Sequence, residues 1–494
     1  MLETVINLHL VCLLDPNNLV SPLGFQNPFM LLSSTTNMAR ELNVSKDNFS
    51  KWYDEVLHYA DIIDDRYPIK GVGAWKPYGY KSLKLMIQRM ETLLDATDHN
   101  ESYFPLFVPA SVFEKESDFL KGFQGEALRV TKIGRRTLDE ELIVRPTSET
   151  AMYPMFSLWT RSWRDLPLKI YQTVPVFRWE TKMTKPLLRV REITKFKEAH
   201  TVHATKSESD KQIQEAVKVY KEFFDNMLIP YIMLRVPDWD VFAGAEYNYD
   251  FFTIMPDGKA IELASVINLG QKMAKAFDIK YISSDEKEKH AWQTCYGISE
   301  RTLGSTLAIH GDDTGLIFPS ILAPFQVVIV PIGTDIKVLA KAESIKNNLT
   351  GIRVHIDNTR KRPGEKFYNW EAKGVPVRIE IGPRDLAKKK VTIARRDNGN
   401  KTTIAESRTS KYVSELLNQI DKSIYNKSRR TFRKQIHDTK TIAQAKKILE
   451  TTGGIVRLPW NGNNKKGQDM EKKLVGQALG YERNKKHLYF ARTY

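Results

Sequence analysis

The stretch VFRWETKMTKPLLRVREITKFKEAH, residues 176–200, places arginines in two short apolar runs separated by a polar turn. Because side chains alternate between the two faces of a strand, Arg178 and Glu180 share one face of a first strand. Arg189 and Arg191 share one face of the return strand, and the proline-containing turn TKMTKP closes a hairpin. Either this hairpin is an exposed ribbon whose charges face water, or its guanidinium groups face a ligand.

A second segment, residues 142–169, combines a short apolar strand with a polar helix start. Arg145 and a proline follow the strand, and Thr147 or Ser148 is expected to cap a helix that carries Glu149 in its first turn. A hydroxyl and a carboxylate at a helix N-terminus suit a small ligand that bears an amine. A simple capping box explains the same residues equally well.

A third segment, QTCYGISERTLGSTLAIH, places Gly297, Ser299 and Arg301 where a strand passes into a helix. Arg301 at the start of an apolar helix needs an anionic partner, which is either a ligand or a structural ion pair. Taken together, guanidinium groups from three segments suit a triphosphate, because each can donate a bidentate pair of hydrogen bonds. Glu180 could hold an amine or the metal ion that accompanies ATP. The sequence has no GxxxxGK[ST] loop, so side chains on a sheet would hold the phosphates.

The chain has 494 residues, of which 41% are hydrophobic, and this length predicts two to three domains. The formal net charge of +16 favours a nucleic-acid partner over a membrane, since no apolar run is long enough to span a bilayer. The two cysteines, Cys12 and Cys295, are too few for a metal cluster or a disulfide framework and predict a reducing interior. Residues 1–37 contain no Lys or Arg, unlike a signal peptide. We therefore predict a cytoplasmic protein in which residues 1–37 are a non-conforming N-terminal extension or result from a misassigned start.

Helical and strand-like patterns divide the remaining chain into three parts. In residues 38–323, helices and short strands do not alternate strictly, which predicts a mostly antiparallel sheet flanked by helices. In residues 324–425, apolar strands and helices follow one another as in a compact α/β unit. Residues 426–494 are predicted to form a small terminal module. The predicted fold class is α/β (α+β).

Five ordered motifs connect these parts to a known family: RPTSETAMYP, RDLPLKIYQTVPVFRWE, LRVREITKFKEAHTVHAT, CYGISER and GVPVRIEIGPRDL. Together they resemble prolyl-tRNA synthetases of the archaeal and eukaryotic type, which are class II aminoacyl-tRNA synthetases. The resemblance extends from about residue 38 to the C-terminal tyrosine. It implies a class II catalytic domain over 38–323, an α/β anticodon-binding domain over 324–425 and a small C-terminal domain over 426–494. The hairpin resembles class II motif 2, and Arg301 resembles the motif 3 arginine.

The resemblance also implies roles for individual residues, with Arg178 and Arg301 as the catalytic pair. Proline would be bound by Thr147, Glu149, Arg178, Phe196, Glu198, His200 and Phe242. ATP would be bound by Arg178, Glu180, Leu187, Arg189, Glu262, Ser265, Ser299 and Arg301. The anticodon would be contacted by Arg378, Glu380 and Arg384. Among these, Thr147 and Glu149 would hold the imino group, while Phe196 and Phe242 would form walls for the pyrrolidine ring.

The implied activity is that of a proline–tRNA ligase, which uses ATP and Mg²⁺. L-proline would be activated to prolyl-adenylate and then transferred to the 3′ end of tRNA(Pro). A side-chain nucleophile is not needed, because the reaction depends on placement and on stabilisation of charge at the α-phosphorus. The resemblance further implies a homodimer, and no membrane partner.

Several positions depart from the family pattern. Where members usually have a glutamine, a threonine and a pair of histidines, this chain has Glu262, Ser265, Ile267 and Asn268. Leu187 replaces a phenylalanine at an adenine-facing position, which is a milder change. The C-terminal module has no cysteine for the zinc that many members carry, so we predict no protein-bound zinc there. These departures leave two alternatives open: a catalytically impaired tRNA-binding paralogue, or a ligase for another small amino acid.

Overall fold

The computed structural model describes residues 42, 44–115, 125–181 and 183–494, so the predicted extension over residues 1–37 lies outside the described residues. In chain order, the strands are β1 (Ile63–Asp64), β2 (Ala74–Trp75), β3 (Asn100–Glu101), β4 (Phe107–Pro109), β5 (Leu128–Ile133), β6 (Arg136–Val144), β7 (Leu168–Phe177), β8 (Glu192–His203), β9 (Ile232–Arg235), β10 (Tyr247–Ile254), β11 (Ala260–Gly270), β12 (Lys280–Ile282), β13 (Glu288–His290), β14 (Trp292–Ile298), β15 (Val327–Pro331), β16 (Val354–Ile356), β17 (Val377–Ile381), β18 (Lys390–Arg395), β19 (Lys401–Ala405), β20 (Ile436–Asp438), β21 (Ile455–Pro459), β22 (Gln477–Tyr481) and β23 (His487–Ala491).

The helices, again in chain order, are α1 (Phe49–Tyr59), α2 (Pro77–Asp95), α3 (Ala110–Phe113), α4 (Glu149–Trp159), α5 (Lys206–Asn226), α6 (Lys272–Ala276), α7 (Arg301–His310), α8 (Ile336–Asn348), α9 (Pro363–Ala372), α10 (Pro383–Ala387), α11 (Thr409–Lys434), α12 (Ile442–Thr451) and α13 (Asn464–Lys473). Local sequence explains several of these starts. Thr205 and Glu208 form a reciprocal capping box that begins α5. Pro77 and Pro363 occupy first-turn positions of α2 and α9, where a missing N–H removes no intrahelical hydrogen bond.

The largest sheet of the described residues has eleven strands, with the order β20-β21-β23-β22-β9-β10-β11-β14-β8-β7-β3. Its neighbouring strands are antiparallel except for the β20–β21 and β3–β7 pairs. The predicted, mostly antiparallel sheet is therefore confirmed. A separate three-stranded sheet, β4-β6-β5, precedes α4 in the chain.

Helices α2 and α5 cover one face of the central sheet. Met86 of α2 and Phe224 of α5 belong to the same buried cluster as Phe251 of β10 and Tyr296 of β14. Complete burial of a side chain of this size stabilises the fold by about 1.5–3 kcal/mol relative to exposure. Because strand residues alternate between faces, the neighbour Asp250 points to the other side of the sheet, which is where the polar site residues gather.

The α/β unit has a five-stranded sheet with the order β16-β15-β17-β18-β19. Strand β15 is parallel to β16 and β17, and β18 and β19 complete the sheet in antiparallel orientation. Ile329 and Ile379 are buried beneath α8 and α11, together with Val338 and Val413. The α/β unit expected from the sequence is confirmed, and helix α11 continues through residue 425, where a domain boundary is predicted.

The terminal module extends the central sheet. Strands β20 to β23 form one end of that sheet, and β22 meets β9 through the pair Tyr481 and Arg235. In the described residues, no helix has the length and apolar character needed to cross a membrane.

The hairpin differs from its prediction at its tip. Strand β7 ends at Phe177 and β8 begins at Glu192. The predictions that Arg178 and Glu180 lie on the first strand, and that Arg189 and Arg191 lie on the return strand, are therefore wrong. A register shift between Val174 and Val176 already disturbs the pairing, because the intervening proline has no N–H to donate. The backbone N–H of Arg178 still donates to the carbonyl of Arg191 at 2.9 Å. The charged residues at the tip therefore lie on an irregular connection between the two strands.

Candidate active site

Two rows of directly paired residues cross the polar face of the central sheet. Paired residues on antiparallel strands point to the same face. One row runs through Asp250, Ser265, Gly297 and Glu198. The adjacent row runs through Asn248, Ile267, Cys295 and His200. The sheet thus brings residues from four strands to the floor of one site, and Gly297 leaves the middle of the floor free of a side chain.

A cavity of about 360 Å³ lies above these rows. The predicted site residues that line it are Thr147, Glu149, Arg178, Phe196, Glu198, His200, Phe242, Glu262, Ser265, Ser299 and Arg301. They come from β8, β11, the connection that follows β7, the starts of α4 and α7, and the segment before β10. The structure thus brings together segments that are separated by more than a hundred residues in the chain.

Glu198 is the centre of a buried carboxylate cluster at the start of α4. The Thr147 hydroxyl lies 2.5 Å from Glu149 Oε2 and 2.7 Å from Glu198 Oε1. Ser148 Oγ donates a hydrogen bond to Glu198 and accepts one from the Gln172 amide at 2.7 Å. Ser148 holds the N-cap position but makes no side-chain cap, so the capping-box interpretation of this segment is wrong. Its hydroxyl instead contributes to the carboxylate cluster.

The two carboxylates of this cluster are held out of water. Burial, and then the charge of Glu198, raise the pKa of Glu149. Burial also raises the pKa of Glu198, against hydrogen bonds from Ser148 and Thr147 that act to lower it. Two buried carboxylates that repel each other favour a cation between them. The cluster is therefore suited to a protonated amine or imine group of a small ligand.

Two guanidinium groups are fixed at the same cavity. Arg178 Nε donates to the carbonyl of Pro146 at 2.9 Å, and its guanidinium carbon lies 5.1 Å from the ring centre of Phe196. Arg301 Nε donates to the carbonyl of Leu188 at 3.0 Å, and Arg301 Nη1 donates to the carbonyl of Glu262 at 3.1 Å. Backbone carbonyls thus orient both side chains before any ligand arrives. Prior orientation lowers the cost of binding an anion.

A β-bulge brings Glu262 to this face. The register between β10 and β11 shifts between Phe251 and Phe252, so the alternation of side chains is interrupted. As a result, Ser265 Oγ lies 3.1 Å from Glu262 Oε1 and 2.6 Å from Asp250 Oδ1. Burial, followed by the charge of Glu262, raises the pKa of Asp250 well above its ordinary value. The side of the cavity near Arg301 therefore carries carboxylates as well as a guanidinium group.

His200 and Cys295 lie side by side beneath Glu149. His200 Nδ1 is 3.0 Å from the Tyr153 hydroxyl, and burial lowers the pKa of His200 to about 3, so the ring is neutral at physiological pH. Burial, followed by the charges of Glu149 and Glu198, raises the pKa of the Cys295 thiol. The polar cluster of Glu149, His200 and Cys295 thus borders a buried apolar cluster that includes Ile267.

Three predicted ATP-binding residues do not line the cavity. Glu180 and Arg189 pair with each other at 3.2 Å on the irregular connection, and Arg189 also donates to the main-chain oxygen of Tyr494 at 2.8 Å. Leu187 is buried in the core with a φ of 62°, packed against Gly304. Asn268, one of the departures from the family pattern, faces the opposite side, where its amide lies 3.0 Å from Asp210.

Two of the predicted anticodon residues, Arg378 and Glu380, lie on strand β17 of the five-stranded sheet, and the third lies on a helix that follows it. Arg378 Nε donates to Glu380 at 3.0 Å and its guanidinium lies 4.4 Å from the ring centre of Phe367. Lys401 also pairs with Glu380, at 2.9 Å. Arg384 is exposed on the short helix α10. Arg378 and Glu380 are therefore partly committed to each other, whereas Arg384 is accessible.

Known proteins match this chain in sequence and in structure. A family model described as the tRNA synthetase class II core domain (G, H, P, S and T) matches residues 130–310, and an anticodon binding domain model matches residues 326–416. A proline–tRNA ligase of Methanocaldococcus jannaschii is 44% identical over 455 residues, which is 90% of this chain and 100% of the relative. One of Aeropyrum pernix is 43% identical over 443 residues, 88% of this chain and 91% of the relative. The chain belongs to the proline–tRNA ligase family.

A solved structure supports the same membership. The Giardia lamblia prolyl-tRNA synthetase in complex with prolyl-adenylate superposes with a TM-score of 0.87 at 34% identity, over 91% of this chain and 99% of that chain. This agreement covers both the catalytic and the anticodon-binding parts. The family resemblance and the fold class expected from the five motifs are therefore confirmed.

Sequence reasoning missed several cavity residues. Asp240, Asn248, Asp250 and Cys295 line the cavity and were not predicted as site residues. The alternation Asn248, Asp250 within the aromatic strand YNYDFF carried a usable signal, because polar residues two apart in a strand share a face. Cys295 lies two residues before Gly297 in the CYGISER motif and could have been placed on the same face in the same way.

Proposed function

We propose that this chain is a proline–tRNA ligase, which activates L-proline with ATP and esterifies tRNA(Pro). The observation that carries the proposal is the arrangement around the cavity. The buried pair Glu149 and Glu198 lies at one side, Arg301 lies at the other, and Arg178 lies between them, near both. Backbone carbonyls fix both guanidinium groups. An amino acid with a cationic imino group and an anionic carboxylate matches this polarity. Family membership supplies the identity of the amino acid and of the nucleic acid.

The proposed reaction has two steps. The proline carboxylate attacks the α-phosphorus of ATP, and the bond to the β-phosphate oxygen breaks to release pyrophosphate. A hydroxyl of the terminal tRNA ribose then attacks the prolyl carbonyl, and AMP leaves. In this proposal Arg178 bridges the carboxylate and the α-phosphate, so it stabilises charge that develops on the phosphoryl oxygens. Arg301 contacts the nucleotide from the other side of the cavity.

Mg²⁺ fits the phosphate side of the cavity. The ion is usually held by one or two carboxylates together with substrate phosphates, and it keeps several waters. Glu262, which the bulge turns into the cavity, supplies such a carboxylate beside Arg301. Bound there, the ion would neutralise charge on the phosphates.

A cytoplasmic location stays a prediction from the cysteine content.

The two alternatives rest on the departures between Glu262 and Asn268. Asn268 faces away from the cavity, so its substitution changes the packing behind the sheet rather than the substrate pocket. Glu262 and Ser265 keep polar groups in the cavity. Ile267 alone makes the amino-acid side of the pocket more apolar, and it favours a small apolar substrate. A paralogue that has lost activation would have no use for two pre-oriented arginines at one cavity.

ATP–pyrophosphate exchange with proline, alanine, cysteine and threonine tests the function. Exchange that depends on proline, at a rate well above that with the other three, is the expected result. An absence of exchange with every amino acid, from protein that still binds tRNA, would establish the paralogue instead. Strong preference for alanine, cysteine or threonine would establish the second alternative.

The homodimer is part of the proposal, and exposed aromatic residues support it. Tyr103, Phe107 and Trp159 are 73%, 47% and 43% exposed, and they lie in segments that meet around Phe104, whose ring centre is 5.6 Å from that of Trp159. Exposed aromatic side chains in neighbouring segments are a common feature of protein interfaces.

The double variant Tyr103→Asp, Trp159→Asp is expected to sediment as a monomer at concentrations where the unaltered chain is a dimer. Introduced charges on both partners would be buried without counter-ions, which costs several kcal/mol. Sedimentation equilibrium measures the change. Ile336→Asp, at a residue 79% exposed on α8, is the matched control and should remain a dimer. A dimer that survives the double variant would place the interface elsewhere.

Arg384→Ala is expected to raise the Michaelis constant for tRNA several-fold without changing tRNA-independent exchange. Arg384 is exposed on α10, apart from the cavity, and unpaired loop bases are often contacted by such side chains. Arg384 is a cleaner test than Arg378, whose loss would leave Glu380 paired with Lys401 alone. Aminoacylation kinetics measure the effect, and Arg384→Lys should restore part of it. An equal loss in exchange and in aminoacylation would contradict separate roles for the two sheets.

A further inference from the structure

We infer that Glu149, His200 and Cys295 form a binding site for Zn²⁺ at the bottom of the amino-acid pocket. One ligand atom from each of the three residues lies within 4.8 Å of the other two, and all three side chains are buried. They come from separate elements, namely the first turn of α4 and the neighbouring strands β8 and β14. His200 and Cys295 are directly paired across these strands, so both point to the same face.

The donor set selects the type of metal. A thiolate, an imidazole and a carboxylate are the ligands that Zn²⁺ uses, at about 2.0–2.3 Å. Mg²⁺ prefers oxygen ligands and is not expected to compete for a site that contains sulfur. The carboxylate cluster beside Glu262 offers oxygen donors only, so the two ions would occupy opposite sides of the cavity.

His200 supplies an independent observation that points to a ligand. Its Nε2 atom is buried and has no hydrogen-bond partner within the described part of the chain. Its other nitrogen, Nδ1, lies 3.0 Å from the Tyr153 hydroxyl. Metal-bound histidines characteristically use the second nitrogen for such an orienting contact. A buried imidazole nitrogen without a partner is unfavourable, and a metal ion would satisfy it.

The site has an open position and a route of access. All three residues line the cavity of about 360 Å³, so a fourth ligand can approach the ion from that side. When the ion binds, the Cys295 thiol releases its proton to solvent and the sulfur coordinates as thiolate. Because Glu149 is also the residue proposed to hold the imino group, bound Zn²⁺ would occupy the place of proline. This last step rests on the proposed function, whereas metal binding itself does not. The site is separate from the structural zinc that the terminal module is predicted to lack.

Metal binding tests the site directly. Zn²⁺ added to metal-free full-length protein, in competition with a chromophoric chelator, is expected to bind with one ion per chain at this site. Cys295→Ala should weaken that binding by more than the roughly 10–100-fold that loss of an orienting partner costs. Cys12→Ala removes the other cysteine of the chain and is the matched control, with unchanged affinity expected. Co²⁺ in place of Zn²⁺ should give a thiolate charge-transfer band that is lost in Cys295→Ala and kept in Cys12→Ala.

Inhibition tests the overlap with proline. Zn²⁺ should inhibit proline-dependent exchange competitively with proline in the presence of excess Mg²⁺. The exchange rate of each variant with Zn²⁺ is compared with its own rate without Zn²⁺. The rate without Zn²⁺ also shows that the variant is folded. Inhibition by Zn²⁺ should be lost in Cys295→Ala. Equal zinc affinity in Cys295→Ala and in the unaltered chain would overturn the site. Tight binding that depends on Cys295 but is unaffected by saturating proline would overturn the overlap. Exchange measured without Zn²⁺ reports on the proposed function separately.

Discussion

Arg178→Ala is expected to lower proline-dependent ATP–pyrophosphate exchange by roughly 10²–10³-fold, which is the usual effect of removing one donor from a developing oxyanion. Arg178 lines the cavity between the carboxylate cluster and Arg301. Its Nε donates a hydrogen bond to the carbonyl of Pro146. This contact with the backbone fixes the orientation of the guanidinium group. Since the contact is strongest in the transition state, most of the loss should appear in kcat.

Two variants separate this role from a general charge effect. Arg178→Lys keeps the positive charge but cannot donate a bidentate pair, so it should recover only a small part of the activity. Arg191→Ala is the matched control, because Arg191 lies on the same connection but stacks on Trp179 at 3.9 Å. Exchange in Arg191→Ala should stay within a few-fold of the unaltered chain, and tRNA binding should persist in all three variants. Near-normal exchange in Arg178→Ala would reject the phosphate contact.

The fold was predicted from the periodicity of apolar residues along the chain and from the order of the motifs. The irregular succession of helices and strands up to about residue 323 indicated an antiparallel sheet, and the alternation that follows indicated an α/β unit, as found. These patterns are local, since each strand shows its buried face within a few residues. The association of the C-terminal strands with the central sheet was not predicted. It depends on pairing between Tyr481 and Arg235, which lie more than two hundred positions apart.

Most of the site was predicted through the family resemblance, and of the residues that were missed, Asn248, Asp250 and Cys295 lie on regular strands. Thr147, Glu198 and His200 follow from the resemblance, and the structure brings them to one cavity. The bulge that turns Glu262 inward has no signature in its own sequence, because it depends on the register with β10. The connection at the hairpin tip also departs from alternation, and there Leu187 adopts a positive φ that places it in the core. The role of Leu187 beside adenine stays a prediction.

Alanine is expected to be the main wrong amino acid, and the reason lies in the pocket. Phe196, Phe242 and Ile267 contribute apolar side chains to its lining, and Thr147 and Glu149 are the residues proposed to hold the imino group. Alanine can present an ammonium group in the same place and is too small to be excluded by contact. An apolar pocket distinguishes a missing methylene by about 1–3 kcal/mol, which is about 10–200-fold. Ile267 cannot offer an oriented polar contact, so it should not sharpen this discrimination.

The product of this error should accumulate. Arg301 follows Arg191 by 110 positions, and the described elements in that interval, β8 to β14 with α5 and α6, belong to the catalytic sheet, its helices and the small β12–β13 ribbon. The described residues of that interval therefore form no additional domain, and we expect no hydrolysis of mischarged tRNA from this part of the chain. With alanine, ATP and tRNA(Pro) as substrates and no second enzyme, we expect alanyl-tRNA(Pro) to build up, as measured by acid-gel analysis of the charged tRNA. Rapid deacylation of preformed alanyl-tRNA(Pro) by the purified chain would contradict this expectation. If high concentrations of alanine do not support exchange, the pocket discriminates against alanine more strongly than its apolar lining implies. Phe196 and Phe242 would then fit closely around proline.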